Sequence, residues 1–175
     1  MTDLLQLGRL ESVSLDGGLE RIDVAEVIRE REDEGRELSQ GKHELLFEIE
    51  PDIQLTGRRS ELYSCLSNLV FNALQYTPSG GRIEVRWWRD ERGAHFSVRD
   101  TGIGVSTRDL PRLTERFYRV DVARSRETGG TGLGLAIVKH ALERHQGELE
   151  IESEEGKGSC FTCHFPAERL QEQAA

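Results

Sequence analysis

The stretch 128-TGGTGLGLAIVKHALERHQG-147 decides how this chain is read. Gly130, Gly132 and Gly134 alternate, and an apolar run follows at once, so a glycine-rich turn opens into a helix over about 131–145. Such an entry points free N–H groups and the positive end of the helix dipole at an anion. Neither common phosphate loop fits, however. A dinucleotide loop needs G-x-G-x-x-G after a strand, whereas G-x-G-x-G here follows an Arg-rich segment. A Walker loop needs Gly-Lys-Ser/Thr, whereas Leu133, Gly134 and Leu135 stand here. Alone, the stretch leaves two readings open: a phosphate cradle, or a helix entry that packs closely.

The rest of the chain narrows the choice. Its 175 residues suit about one domain with a buried core. At 36% hydrophobic and 31% charged, the composition is that of a soluble globular protein. No apolar run approaches the ~18–20 residues of a membrane span, and 1-MTDLLQLGRLES-12 lacks the basic-then-apolar pattern of a secretory signal. No membrane contact by this segment is expected. A net charge of −9 argues against nucleic acid, whose binding rests on neutralising phosphates. Arg108, Arg112, Arg116, Arg119, Arg124 and Arg126 run against that average and suit a small polyphosphate or a solvated helix face. Cys65, Cys160 and Cys163 are an odd number at uneven spacing, as in a reducing compartment. The run 160-CFTCH-164 mimics a haem-attachment motif, but it reads as a strand, where i and i+3 face opposite sides and cannot grip one group.

Leu4, Leu7 and Leu10 mark a helical stripe that 14-SLDGG-18 breaks. A helix then starts at about Asp23, a plausible N-cap, and stops at Gly41-Lys42. The segments 43-HELLFEIEP-51 and 53-IQLTG-57 read as strands with Pro51-Asp52 as the turn. A helix over about 58–76 buries Leu62, Cys65, Leu66, Leu69, Ala73 and Leu74. The segments 82-RIEVRWWR-89 and 94-AHFSVRD-100 form a hairpin, and so do 147-GELEIES-153 and 158-GSCFTCHFP-166. The polar connection 101–130 is long enough to be a lid. Hairpins without strict βαβ alternation predict an α+β, two-layer sandwich: a mixed, mostly antiparallel sheet of about five strands with about three helices on one face.

Three features bear chemistry. Asn68 and Asn72, four apart on a helix, share a face beside the apolar one; amide oxygens are hard ligands suited to Mg2+, or simply cap neighbouring loops. Asp100 ends a strand and is followed by Gly102 and Gly104 in 100-DTGIG-104; its carboxylate can accept from an exocyclic amine while glycines admit a ring, or the segment is an ordinary Asp-Gly turn. The third is the glycine-rich helix entry.

In the order 68-NLVFNA-73, 100-DTGIG-104, 116-RFYR-119 and 130-GTGLGLAI-137, these features resemble the N, G1, F and G2 boxes of sensor histidine kinases, over about residues 4–166. Their ATP-binding (Bergerat) fold is shared with gyrase-, MutL- and Hsp90-type ATPases. Within that family, 68-NLVFNALQYTPSGGRIEVRW-87 and 113-LTERFYRVDVARSRETGGTGLGLAIVKHA-141 are similar to the phosphate-regulon sensor kinases. The resemblance implies ATP and Mg2+ as cofactors, with Asn72 holding Mg2+ and Asn68 assisting at metal and phosphates. It implies Tyr76 on adenine, Asp100 on its amino group, and Gly102, Ile103 and Gly104 as the pocket floor. Phe117 would anchor the lid, Arg119 would stabilise the terminal phosphate, and Gly130, Thr131, Gly132, Leu133 and Gly134 would cradle the phosphates. Asn68 stands where hydrolysing relatives carry a Glu general base, and an amide takes no proton, which favours transfer over hydrolysis.

Three departures stand out. Thr114 replaces a common first Phe of the F box, Gln75 replaces a common Lys or Arg, and the acceptor motif H-E-x-R-T-P is absent. His43, placed in a strand, only imitates its start; His95 and His164 also fall in strands, and His140 and His145 on a helix face or cap. Residues 1–15 therefore resemble the end of the second helix of a dimerisation and phosphotransfer domain plus linker, 16–168 the catalytic domain, and 169–175 a C-terminal tail. The expected activity is transfer of the γ-phosphoryl group to a histidine on that separate domain, in a phosphate-starvation relay ending on a PhoB-like response regulator. The chain alone is expected to be monomeric and unable to autophosphorylate, and to be the cytoplasmic, catalytic portion of a homodimeric inner-membrane sensor. The rivals are a hydrolysing ATPase and a nucleotide-gated binding module.

Overall fold

The computed structural model describes residues 19–115 and 134–171. Five strands form one sheet: β2 (Glu44–Ile49), β4 (Arg82–Asp90), β5 (Gly93–Asp100), β7 (Gly158–Pro166) and β6 (Glu148–Glu154), in that spatial order. All pairs are antiparallel except β2–β4, which is parallel. Three helices cover one face: α1 (Val24–Ser39), α2 (Arg59–Tyr76) and α3 (Gly134–Arg144). This is the α+β sandwich expected from the hairpin pattern.

Period-2 alternation assigns the sheet's faces. Val85, Trp87, Phe96, Val98, Phe161 and Phe165 point inward and are almost wholly buried against Leu62, Leu66, Leu69, Val138 and Leu142 of the helices. Each such side chain contributes about 1.5–3 kcal/mol of burial. Trp87 and Phe165 meet edge to face, ring centroids 6.2 Å apart. Cys163 also points inward, its Sγ 3.9 Å from that of Cys65 on α2. Its contact with Cys65 and its burial both push the thiol well above its ordinary range. Cys160 lies on the opposite face of β7 beside Thr162, so the two cysteines of 160-CFTCH-164 cannot grip one group.

Several local expectations are corrected. The strands either side of Pro51-Asp52 do not pair. β3 (Gln54–Gly57) leaves for a second, three-stranded sheet between β1 (Glu20–Asp23) and β8 (Leu170–Gln171). Strands β1 and β8 were missed, being four and two residues long. Asp23 occupies the N-cap position of α1 with extended backbone, but its side chain makes no capping bond. His43 precedes β2 instead of lying in it; its Nδ1 meets Ser39 Oγ at 3.0 Å and its Nε2 the Thr77 carbonyl at 2.7 Å.

His145 locks the small sheet to the helices. The ring is fully buried. Its Nδ1 donates to the Ala141 carbonyl (2.7 Å) and its Nε2 accepts the Arg58 N–H (3.0 Å). A Cβ on Gly57 would stand 2.5 Å from this ring, so glycine is required there. Beside it, the buried Glu61 at the start of α2 pairs with Arg144 at the end of α3 at 2.7 Å.

Burial pulls the His145 pKa below its usual value. As pH falls below ~6.5, the unfolded chain takes up a proton here that the folded protein refuses, so stability drops with acid. Urea unfolding between pH 7.5 and 5.5 is expected to show a falling midpoint, and His145→Gln to flatten that fall. An equal slope in the variant would exclude His145 as a source of the pH dependence.

Candidate functional site

Three elements separated in sequence converge. The antiparallel packing of α2 and α3, fixed at one end by Glu61–Arg144, brings the first residue of α3 to the middle of α2. A Cβ on Gly134 would lie 3.1 Å from Asn68 Oδ1. Asn68 donates its Nδ2 to the Ser64 carbonyl at 2.7 Å, which turns its oxygen toward the helix start. Asn72 follows one turn later on the same face, and both amides are half-buried.

The third element is the end of β5. Asp100 is 6% exposed, and its Oδ1 accepts N–H groups from Gly102 at 2.9 Å and Ser159 at 3.3 Å. Burial raises its pKa above the usual carboxylate value, and these two bonds only partly oppose that. The chain then returns to α2, where Ile103 donates its N–H to the Tyr76 carbonyl at 3.1 Å. The glycines here have a physical reason beyond admitting a ligand ring. A Cβ on Gly102 would stand 2.4 Å from the Tyr76 oxygen, and one on Gly104 2.0 Å from the Glu154 oxygen. Gly104 also has φ +69°.

Among the expected site residues, Asn68 meets Gly134, and Tyr76 meets Gly102 and Ile103 beside Asp100. Asn72 lies on the same helix face. Phe117, Arg119, Gly130, Thr131, Gly132 and Leu133 lie outside the described residues, as do Arg116, Arg124 and Arg126. Arg112 forms an ion pair with Glu115 at 3.2 Å. Thr114 is half-buried. Sequence reading missed Ser159 and Gly158 as supports of Asp100. Gly158, at φ +132°, would place a Cβ 2.1 Å from the Asp100 carbonyl oxygen. Their only sequence signal was the hairpin turn 154-EEGKG-158, 54 or more residues from Asp100.

The donor set fits Mg2+ bound chiefly by phosphate: the Asn68 amide oxygen meets a helix start, Asn72 shares its helix face, and Mg2+ needs few protein ligands. No cluster of three or more His, Cys, Asp or Glu side chains that could hold a metal occurs among the described residues. Of the five histidines, His140 has a buried Nε2 without a hydrogen-bond partner among the described residues. Both ring nitrogens of His43, His95, His145 and His164 have partners.

With the helices on one face of a mixed sheet and amides, a buried Asp and glycines gathered at the end of its central strand, the class is defined. Residues 57–169 match the family described as histidine kinase-, DNA gyrase B-, and HSP90-like ATPase, and the chain belongs to it. Its relatives are sensor kinases. It is 52% identical over 173 residues to the phosphate regulon sensor protein PhoR of Pseudomonas aeruginosa, covering 98% of this chain and 39% of that protein. The mycobacterial sensor histidine kinase MprB superposes with a TM-score of 0.74 at 28% identity, over 85% of this chain and 97% of that one. Full-length ShkA, solved in complex with AMPPNP, gives 0.81 at 26% identity, over 99% of this chain and 36% of that one. The chain spans about two fifths of the length of the curated relatives it matches. No described helix is long and apolar enough to cross a membrane.

Replacing Asp100 with Asn keeps an oxygen for the Gly102 and Ser159 N–H groups and removes a buried charge. Asp100→Asn is therefore expected to unfold no earlier than the parent at pH 7. It should also lose the stabilisation that the parent gains as pH falls toward ~4 and folded Asp100 takes up its proton. Gly104→Ala, forced into a left-handed conformation, is expected to lose about 1–3 kcal/mol from backbone strain alone. Denaturant titrations of both variants check these outcomes, and a Gly104→Ala variant as stable as the parent would exclude the constraint.

Proposed function

We propose that this domain binds Mg-ATP and delivers the γ-phosphoryl group to a histidine on a separate dimerisation and phosphotransfer domain, from which it passes to a response regulator. The observation that carries the reading is the meeting of Gly134, at the start of α3, with Asn68 on α2, the helix whose last residue, Tyr76, holds the loop after Asp100. The identity to a phosphate regulon sensor supports phosphate-starvation signalling as the pathway.

In this reading Asp100 offers its second carboxylate oxygen to the adenine amino group, and Gly102, Ile103, Gly104 and Tyr76 shape the base pocket. Asn72 and Asn68 hold the metal and phosphates, with Phe117, Arg119, Gly130, Thr131, Gly132, Leu133 and Gly134 completing the lid and cradle. Mg2+, when bound, neutralises phosphate charge. The bond from the γ-phosphorus to its bridging oxygen breaks as a bond to an acceptor imidazole nitrogen forms, and ADP leaves with the electron pair. Little covalent chemistry falls to the protein, so positioning and charge stabilisation supply the rate. Asn68 cannot deprotonate water, which favours transfer over hydrolysis. The chain lacks the H-E-x-R-T-P acceptor motif, so label should appear only on a supplied acceptor domain.

The test mixes this chain with labelled ATP, Mg2+ and a helical domain bearing the acceptor histidine. Label on that domain supports transfer. Free phosphate alone would mark a hydrolase, and nucleotide binding with neither would mark a binding module. Asn72→Ala is expected to lower transfer by about 100-fold or more. Unchanged transfer would remove Asn72 from the metal site.

A further inference from the structure

The sheet face opposite the helices carries a second group of polar side chains that the nucleotide site does not use. His95 on β5 and His164 on β7 are directly paired across the strands. Their Nδ1 atoms face each other at 2.7 Å, with the rings at 74°. Each Nε2 is anchored by a carboxylate: His95 to Asp90 Oδ1 at 2.7 Å, and His164 to Glu150 Oε2 at 2.8 Å. His95 is almost fully covered, its side chain 5% exposed, with Trp88 lying against it at 5.2 Å between ring centroids. His164 is 35% exposed. Both rings line a cavity of about 630 Å³ that also includes Glu148, which is paired with His164 across β6.

Proton counting shows what the gap between the rings is suited to. A bond from each Nε2 to its carboxylate needs a proton on both Nε2 atoms. The Nδ1 contact then holds one further proton between two nitrogen lone pairs. Two Nδ1 atoms thus face each other across a short gap, each ring oriented by a carboxylate. That is the arrangement by which carboxylate–histidine pairs present nitrogen to a metal ion.

We propose that His95 and His164 bind a zinc-type transition-metal dication through their Nδ1 atoms, with the cation replacing the shared proton. Imidazole suits Zn2+, Cu2+ and Ni2+. Two Zn–N bonds of ~2.0–2.1 Å at a tetrahedral angle place the nitrogens roughly 3.4 Å apart. The rings therefore need only open slightly, and His164 is exposed enough to turn. The described residues bring no third protein ligand into range, so water from the cavity completes the shell, with Glu148 next in reach. Cys160 lies on the same face but four residues along β7, about 13 Å from His164, and takes no part.

The test is calorimetric titration of Zn2+ into the untagged 175-residue chain, with Co2+ absorption as a second readout. One site per chain is expected. His164→Gln and His95→Gln should each weaken it at least about tenfold. Glu150→Ala, which touches no metal, should weaken it by about 10–100-fold through the ring it orients. Cys160→Ser should leave it unchanged. Unfolding midpoints without metal check that the variants fold; should His95→Gln fail to fold, the more exposed His164 decides. Absence of saturable binding, undiminished binding by His164→Gln, or loss on Cys160→Ser would overturn the assignment.

Discussion

A carboxylate buried at the end of the central strand sets the terms for the rest of the site. A buried charge must be met by hydrogen-bond donors, and Asp100 finds two, the N–H groups of Gly102 and Ser159. Each comes from a different stretch of chain, so satisfying one oxygen fixes both the loop leaving β5 and the start of β7. Close approach then becomes obligatory. Gly158 must lie on the Asp100 carbonyl, Gly102 on that of Tyr76 and Gly104 on that of Glu154, and only glycine fits at these distances.

The helices obey a second constraint, applied at the far end. Glu61 and Arg144 pair where α2 begins and α3 ends. His145 wedges the same end against Gly57 and Arg58. A buried pair of this kind adds little net stability but tolerates few alternatives. Its effect here is register. With that end pinned, ten residues of α3 and seven of α2 lead back to Gly134 and Asn68, and the helix start meets the amide. The site is thus built at one end of the molecule by interactions made at the other.

Much of this was legible in the sequence, for physical reasons that differ between parts. Both hairpins and all three described helices announce themselves through strong periodicity and glycine-rich turns. The small sheet does not. Four residues in β1 and two in β8 are too few to show a pattern, and nothing local tells 53-IQLTG-57 to desert its neighbour β2. The parallel β2–β4 pairing is likewise non-local. At the site, Asn68, Asn72 and Asp100 were visible as polar groups where apolar ones were expected. Ser159 was invisible because it acts through its backbone N–H, which every residue but proline owns. His43 was misplaced because 43-HELLFEIE-50 alternates like a strand from its first residue, yet both ring nitrogens are held by groups at the end of α1 and after α2.

The alternation that builds the sheet also divides its labour. Along β5, Phe96, Val98 and Asp100 face the helices, while His95, Ser97 and Arg99 face away; along β7, Phe161, Cys163 and Phe165 face in, and Cys160, Thr162 and His164 out. Five residues separate His95 from Asp100, and five separate His164 from Ser159, or about 16 Å along each strand. The same two strands therefore hold the buried carboxylate of Asp100 on one face at one end, and a pair of opposed imidazoles on the other face at the other end. A one-residue slip in either strand would exchange the faces, placing histidines in the core and phenylalanines in water. The apolar inner row thus holds both polar groups in register without either touching the other.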